Sequence, residues 1–342
     1  MAKGEGMKVL DNTFPSFATL HSLKVVVTGD IHINTNRFSD FENKRLKYLH
    51  DNINKHNPDL VVLNGDILDK AKPTLQDFKL FYKFIEGVKS SILLISGNHE
   101  ELSMKETCYD FIPEVNYVYV PIGTLHFKDY KLLFVSHHLI NNIQKLSGDI
   151  LFTHYRSAVN LHTTDEYNNK LVSEKFKYTF ISDIHQKISP YYNILYTSSP
   201  NSLKFHQEID QYGFYVVTLN DDVDIKYHEL NQYGKQRLIV SKDNIEDIKA
   251  RLKKYPTWLF KLSIPEDVSK DEFSGFDNIV GFDLLTTDDE EDKKEYKQAV
   301  NDIFNKQKLN PYDILVNYLS LDDYSEDVVK NVLVDIKQGL LQ

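Results

Sequence analysis

A single cysteine, Cys108, stands among 342 residues. It excludes an internal disulfide and any cysteine-rich zinc site, and it fits a reducing compartment. No apolar run approaches the length of a membrane span, and the opening "MAKGEGMKVLDNTFPSF" lacks the apolar stretch of a signal peptide. The expectation is a cytoplasmic, intracellular protein with no membrane contact. Positive charge is also scarce, with 40 Lys and Arg against 50 Asp and Glu, a net of -10. That balance argues against a free-standing DNA-binding module that works by phosphate neutralisation. Repeats and low-complexity tracts are absent.

What is present is an ordinary globular composition, 41% hydrophobic and 26% charged, with 21 Tyr and 20 Phe. The length suits a main domain with smaller appendages. Six short runs rich in Val, Ile, Leu and Phe have the length and continuity of buried strands, and each ends in polar residues. "LKVVVTGDIH" delivers Asp30 and His32, "LVVLNGDILD" Asp66 and Asp69, and "ILLISGNHE" Asn98, His99 and Glu100. "KLLFVSHH" delivers His137 and His138, "DILFTHY" His154, and "YTFISDIH" Asp183 and His185.

Helical spacing lies between the early runs. Leu46, Leu49 and Ile53 mark a helix over 41–54, and Leu75, Phe78, Phe81, Ile85 and Val88 mark another over 74–88, with Thr74 as its N-cap after Pro73. Strand, helix, strand, helix, strand predicts a layered α/β core, in which ligands collect beyond the carboxyl ends of the strands. Beyond Gln236 a strand "RLIV", a helix over 241–254, "TWLFKLSI" and "IVGFDLL" read as a small α+β appendage. Two further helices are predicted over 289–306 and 325–338, separated around Pro311. The expected division is a core at 1–232, a capping domain at 233–285 and a helical segment at 286–342.

The strand-end residues Asp30, His32, Asp66, Asn98, His99, His154, Asp183 and His185 combine carboxylate, imidazole and amide oxygen. Such mixed donors suit Mn²⁺, Fe or Zn²⁺. Two cations a few Å apart need one bridging ligand, for which a carboxylate is the natural choice, and together they can activate water and clamp a phosphoryl oxygen. Any one of these short motifs could be a strand-end turn; their order, each directly behind a buried run, gives them weight.

The pattern resembles the calcineurin-like metallophosphoesterases, whose signature D-x-H, G-D-x-x-D, G-N-H-[DE], H and G-H-x-H is met by "DIH" (30–32), "GDILD" (65–69), "GNHE" (97–100), His154 and "SDIH" (182–185). The resemblance implies a layered β-sandwich core flanked by helices. It implies that Asp30, His32 and His185 hold one divalent cation and Asn98, His154 and Asp183 the other, with Asp66 bridging and His99 as general acid. Mn²⁺ is the expected ion, with Mg²⁺ as the second choice. Within that family the chain is similar to the SbcD-type nuclease subunits, through "YTSSPNSLKF" (196–205) and "YGFYVVTL" (212–219) as well. The resemblance implies a DNA substrate, an SbcC-type coiled-coil ATPase partner, a homodimer as one arrangement, a DNA-facing cap and an ATPase-binding tail. Two alternatives stay open, a generic phosphatase or cyclic-nucleotide phosphodiesterase and a catalytically weakened scaffold. The arginine that follows the second motif in protein phosphatases is missing from "GDILDKAKPT".

At the last motif Ser182-Asp183 replaces Gly-His. With Asp30, Asp66 and Asp183 ionised, three carboxylates face two dications, so the centre carries one positive charge fewer than with a histidine at 183 and should acidify its water less. The expectation is activity at higher pH than in a histidine-bearing relative, or a greater metal demand. His137 and His138 read as structural or substrate-side, His126 and His162 as surface or core histidines, and Asp69 as supporting the site or starting a helix.

Overall fold

A computed structural model describes residues 7–35, 38–156, 169–185, 190, 192–203, 205 and 211–285. Two six-stranded sheets form the core. The first runs, in spatial order, Val223–Leu230, Tyr212–Leu219, Leu23–Thr28, Leu60–Asn64, Ser91–Ile95 and Val118–Tyr119. The second runs Lys8–Val9, Ile122–Phe127, Tyr130–Val135, Ile150–His154, Tyr178–Ser182 and Ile194–Tyr196. All six apolar runs of the sequence are strands of these sheets. The segment before residue 22, to which the sequence assigned no role, supplies an edge strand and buries Leu10, Phe14 and Phe17.

Alternation along each strand separates the layers. Val25, Val27, Val62, Leu93 and Ile95 face Leu132, Phe134, Phe152 and Phe180 of the opposite sheet. Their neighbours Val26, Val61, Leu63 and Leu94 turn outward onto helices α1 (Ser39–Lys55) and α2 (Leu75–Gly87) through Leu46, Leu49, Phe81 and Phe84. On the other side Leu133, Leu151 and Ile181 meet Val172 and Phe176 at α3 (Asn169–Lys175). Helix, sheet, sheet, helix is a mixed α/β sandwich, as the resemblance implied.

Parallel pairing aligns the functional strand ends. Leu23–Thr28 lies parallel to Leu60–Asn64, which lies parallel to Ser91–Ile95, with Thr28 opposite Leu63 and Asn64 opposite Ile95. In the second sheet His154 lies opposite Ser182 in a parallel pair. Asn64 ties the two sheets together. Its buried amide donates to the carbonyls of Thr153 and Phe180, at 2.8 and 3.3 Å, and to Ser182 Oγ at 2.9 Å.

Past residue 232, strands Lys235–Ile239, Leu259–Pro265 and Ile279–Leu285 pair in that order, and α4 (Ile245–Lys254) follows a 3₁₀ turn opened by a Ser241 capping box. The chain groups into two compact units, 1–239 with 246–262 and 275–281, and 240–245 with 263–274 and the stretch from 282. In the second, Lys242 pairs with Asp267 at 2.8 Å. The two helices predicted over 289–306 and 325–338 lie outside the described residues.

Two buried carboxylates hold the turns behind the strands. Asp77, in the first turn of α2, accepts from the Thr74 and Thr35 amides at 2.8 Å each and from both hydroxyls. Burial opposes its ionisation, yet those donors bring its pKa down to about 2. Glu100 accepts from the amides of Asp66, Ile67, Leu68 and Gly97 at 2.5–3.0 Å and from the Tyr109 hydroxyl at 2.8 Å. Burial and the neighbouring Asp66 raise its pKa to about 7, against the pull of the Leu68 and Gly97 amides and of Tyr109. One side chain thereby joins the turn after Leu60–Asn64 to the turn after Ser91–Ile95.

Replacing Asp77 with Ala should cost about 2 kcal/mol at pH 7 in urea unfolding. Because the folded carboxyl titrates below its unfolded value of 3.8, the ionic part of that difference is complete above pH 4 and should fade as pH drops through about 2. Glu100→Gln turns one acceptor oxygen into a donor facing backbone N–H groups, and should cost about 3 kcal/mol. Guanidinium unfolding with an unchanged m-value checks it; a midpoint equal to that of the native chain would refute the clamp.

Candidate metal centre

Three of the polar turns leave their strands through an unusual backbone. Asp30, His32, Asp66 and Asp183 all have positive φ, at 49°, 49°, 53° and 108°. Non-glycine residues persist there only where their surroundings hold them. A ladder between turns does so: the amides of Asp30, His32 and Ile33 donate to the carbonyls of Gly65, Asp66 and Ile67 at 2.8–3.0 Å. The Asp183 amide donates to both oxygens of Asp30 at 3.1 Å. Arg45, buried on α1, donates to the carbonyls of Ile31 and His32 at 2.9 and 3.3 Å and to Asn201 Oδ1 at 2.9 Å, while Glu42 pairs with it.

Glycine permits the close approach. A Cβ on Gly65, whose φ is +85°, would sit 2.5 Å from His154 Nδ1, and one on Gly97 would overlap Asp66 Oδ1. With both positions bare, turns from two sheets pack edge to edge.

The structure brings all eight sequence-predicted residues into one cluster. Asp30, His32 and His185 present donor atoms that lie within 4.8 Å of one another; so do Asp30, Asp66 and His154, and so do His32, Asp66 and His99. His32 Nε2 is 3.1 Å from His185 Nε2 and 3.5 Å from Asp66 Oδ2. His154 Nε2 is 3.1 Å from Asn98 Oδ1, 3.4 Å from Asp66 Oδ2 and 3.9 Å from Asp183 Oδ1. Asp66 Oδ2 thus sits between a His32 side and a His154 side, where a bridging ligand would have to be.

The donor chemistry fits divalent cations. His154 Nδ1 donates to the Asn64 carbonyl at 3.1 Å, and His32 Nδ1 to Asp69 Oδ1 at 3.0 Å, so both rings turn the Nε2 lone pair into the cluster. Nitrogen and oxygen lone pairs then converge with Asp30, Asp66 and His154 buried to 1% exposure or less. Such a set is stable around positive charge, and its members perturb one another's protonation. Burial disfavours the imidazolium of His154, yet Asp66, Asp30 and Asp183 push its pKa well above the ordinary range. Burial raises the carboxyl of Asp30, with Asp66 and Asp183 adding to it. Burial also acts on Asp66, but His154, His32 and His99 hold it below the usual carboxylate range.

His99 stands beside the donors rather than among the tightest of them. Its Nδ1 donates to the Asp69 carbonyl at 2.8 Å and its Nε2 lies 3.9 Å from Asp66 Oδ2, with the side chain 39% exposed. Its own amide donates to Asp66 Oδ1 at 3.0 Å. Asp69 therefore supports two rings, one through its carboxylate and one through its carbonyl.

Several contributors escaped the sequence reading. Asn64 directly precedes the Gly-Asp pair, which was its only signal. Arg45 sits mid-helix and Arg156 two residues past His154, with nothing in their local pattern to mark them. His137 Nδ1 donates to Glu101 Oε1 at 2.6 Å, its ring centroid 6.1 Å from that of His154, and His138 lies 3.5 Å from Ser96 Oγ. His126 pairs at the surface with Asp11. His162 lies outside the described residues.

The DNA double-strand break repair protein Mre11 of Nanoarchaeum equitans (strain Kin4-M) is 22% identical over 230 residues, covering 55% of this chain and 63% of that protein. Probable exonuclease subunit 1 of Escherichia phage T5 is 24% identical over 207 residues, covering 54% of this chain and 62% of that protein. The chain thus spans a little over three fifths of the length of these relatives. Among solved structures, an archaeal phosphodiesterase (12% identity, TM-score 0.36, 61% of this chain and 100% of that one) and a dimetal phosphatase from Danio rerio (10%, 0.40, 61% and 98%) are similar. Residues 23–219, which hold both sheets' functional strand ends and every member of the cluster, match the family model described as calcineurin-like phosphoesterase, and the chain belongs to that family.

Proposed function

We propose that this chain is a two-metal-dependent DNA phosphodiesterase, the exonuclease and endonuclease subunit of a complex with an SbcC-type coiled-coil ATPase in DNA repair, recombination or replication. The observation that carries the chemistry is the position of Asp66 Oδ2, 3.5 Å from His32 Nε2 and 3.4 Å from His154 Nε2. DNA as substrate is supported by the repair protein and the exonuclease subunit to which the chain is similar. Asp30, His32 and His185 would hold one cation, Asn98, His154 and Asp183 the other, and Asp66 both. Mn²⁺ suits this mixture of imidazole and carboxylate, with Mg²⁺ second. Bound there, such ions supply Lewis acidity toward a phosphoryl oxygen and lower the pKa of water.

The chain's own residues orient and transfer protons. Asp69 and Asn64 accept from Nδ1 of His32 and His154, so each ring would offer Nε2 to a cation, with His154 giving up its Nε2 proton as the ion binds. His99, pinned at Nδ1 by the Asp69 carbonyl, can deliver a proton from Nε2 to the leaving oxygen. Its exposure leaves room for a substrate that the more buried donors cannot touch. The net charge of -10 leaves, in this reading, most phosphate contacts to the ATPase or to a second copy of the chain. In this reading residues 233–285 face DNA and 286–342 bind the ATPase.

A second reading, a phosphatase or cyclic-nucleotide phosphodiesterase, is favoured by one feature alone: the same cluster would serve any phosphoester. Purified protein with Mn²⁺ should hydrolyse single- or double-stranded DNA, alone or with the ATPase; faster turnover of a small phosphomonoester would favour the second reading, and inertness toward DNA with the partner present would end the first. His99→Ala should lower kcat by about 10²- to 10⁴-fold with bound Mn²⁺ unchanged. Asp66→Ala should lose bound Mn²⁺, read by elemental mass spectrometry.

A further inference from the structure

The carboxylate at 183, where the family signature has histidine, does not face the cluster alone. Asp183 Oδ1 lies 3.9 Å from His154 Nε2, on the side of the donors. Its other oxygen, Oδ2, lies 3.4 Å from Nε of Arg156, two residues beyond His154. The two oxygens thus have different neighbours. One points to the site and the other to a cation of fixed charge.

The backbone holds this orientation. Asp183 keeps a φ of 108° while its amide donates to both oxygens of Asp30, so the residue cannot swing its carboxylate by relaxing toward extended backbone without losing those bonds. Asp183 is also only 12% exposed at its side chain, whereas Arg156 is 47% exposed. The guanidinium is thus the more solvent-exposed member of the pair.

We infer that Arg156 and Asp183 act as one unit that stands in for an imidazole, with Arg156 as a positioning residue that neutralises the extra charge and occupies Oδ2, leaving Oδ1 as a single donor. This inference rests on the reading of the cluster as a metal centre. An imidazole gives a metal one lone pair and no net charge. A bare carboxylate gives two oxygens and a negative charge, which favours harder ions able to take both. Paired with a guanidinium, it again gives one oxygen and a net charge near zero. Counting only the motif residues, the centre is one positive charge poorer than with histidine; Arg156 restores that charge, and the alkaline shift expected from the sequence then disappears.

The test measures metal affinity, not turnover. Arg156→Ala and Arg156→Gln both remove the cation and release Oδ2, so each should bind Mn²⁺ more tightly, by roughly three- to tenfold, as loss of a nearby unit charge in a solvent-facing position predicts. Arg156→Lys keeps the charge and should stay near the native value. Titration followed by the electron paramagnetic resonance signal of free Mn²⁺ gives each Kd, and competition by Ca²⁺ should improve in the Ala and Gln variants because both oxygens are open to it. Unchanged or weaker Mn²⁺ binding in the Ala and Gln variants would overturn the inference. A native chain that takes up no Mn²⁺ would instead overturn the metal reading beneath it. Because Arg156 is half exposed, circular dichroism of the variants should match the native chain.

Discussion

The architecture of the site depends on the buried carboxylate of Glu100. Four backbone amides from two separate turns and one tyrosine hydroxyl converge on its two oxygens. Burial penalises the charge and raises its pKa to about 7, and these donors offset part of that penalty. The result is a rigid link between the loop that carries Asp66 and the loop that carries Asn98 and His99. Without it, two strands in register would still deliver their polar ends to one edge, but the side chains would lack a common frame.

Around that frame the histidines are disciplined from behind. A carbonyl sets His154, a carboxylate sets His32 and a second carbonyl sets His99, so that three imidazoles with one intrinsic chemistry acquire three definite orientations. The carboxylates are separated in the same way. Asp30, wholly buried against other acids, is pushed toward its neutral form, while Asp66, ringed by imidazoles, is held as the anion. The two buried aspartates are thereby driven in opposite directions by their neighbours.

Much of this was legible in the sequence because period and punctuation agree. Runs of Val, Ile, Leu and Phe ending at Gly-Asp or Gly-Asn-His have the length and continuity of buried strands with polar tips, and Thr74 after Pro73 announced the start of α2. The eight cluster residues were legible for the same reason, each lying directly behind a strand. Other features were hidden because they are made by distance in the chain. Glu100 was visible as part of a motif but not as a clamp, since its partners lie 32–34 residues away as well as nearby. Arg45 reaches the Asp30–His32 turn from the middle of a helix, and the edge strand Lys8–Val9 is too short to have a period. Arg156 neighbours Asp183 only because two parallel strands place His154 opposite Ser182. A charge count over motif residues alone therefore missed its nearest counter-ion.

The amide of Asn64 bears on how such a scaffold can change. Because one side chain is bonded to the main chain of two adjacent strands in the facing sheet, any slip of one sheet over the other would strand its buried N–H groups, a penalty that grows at once rather than gradually. Adjustment by sliding layers is therefore closed to this protein. Variation must come from the connections that leave the sandwich, while the spacing of the edge that carries the polar cluster stays constant, as in a vice whose jaws are pinned and whose workpiece alone differs.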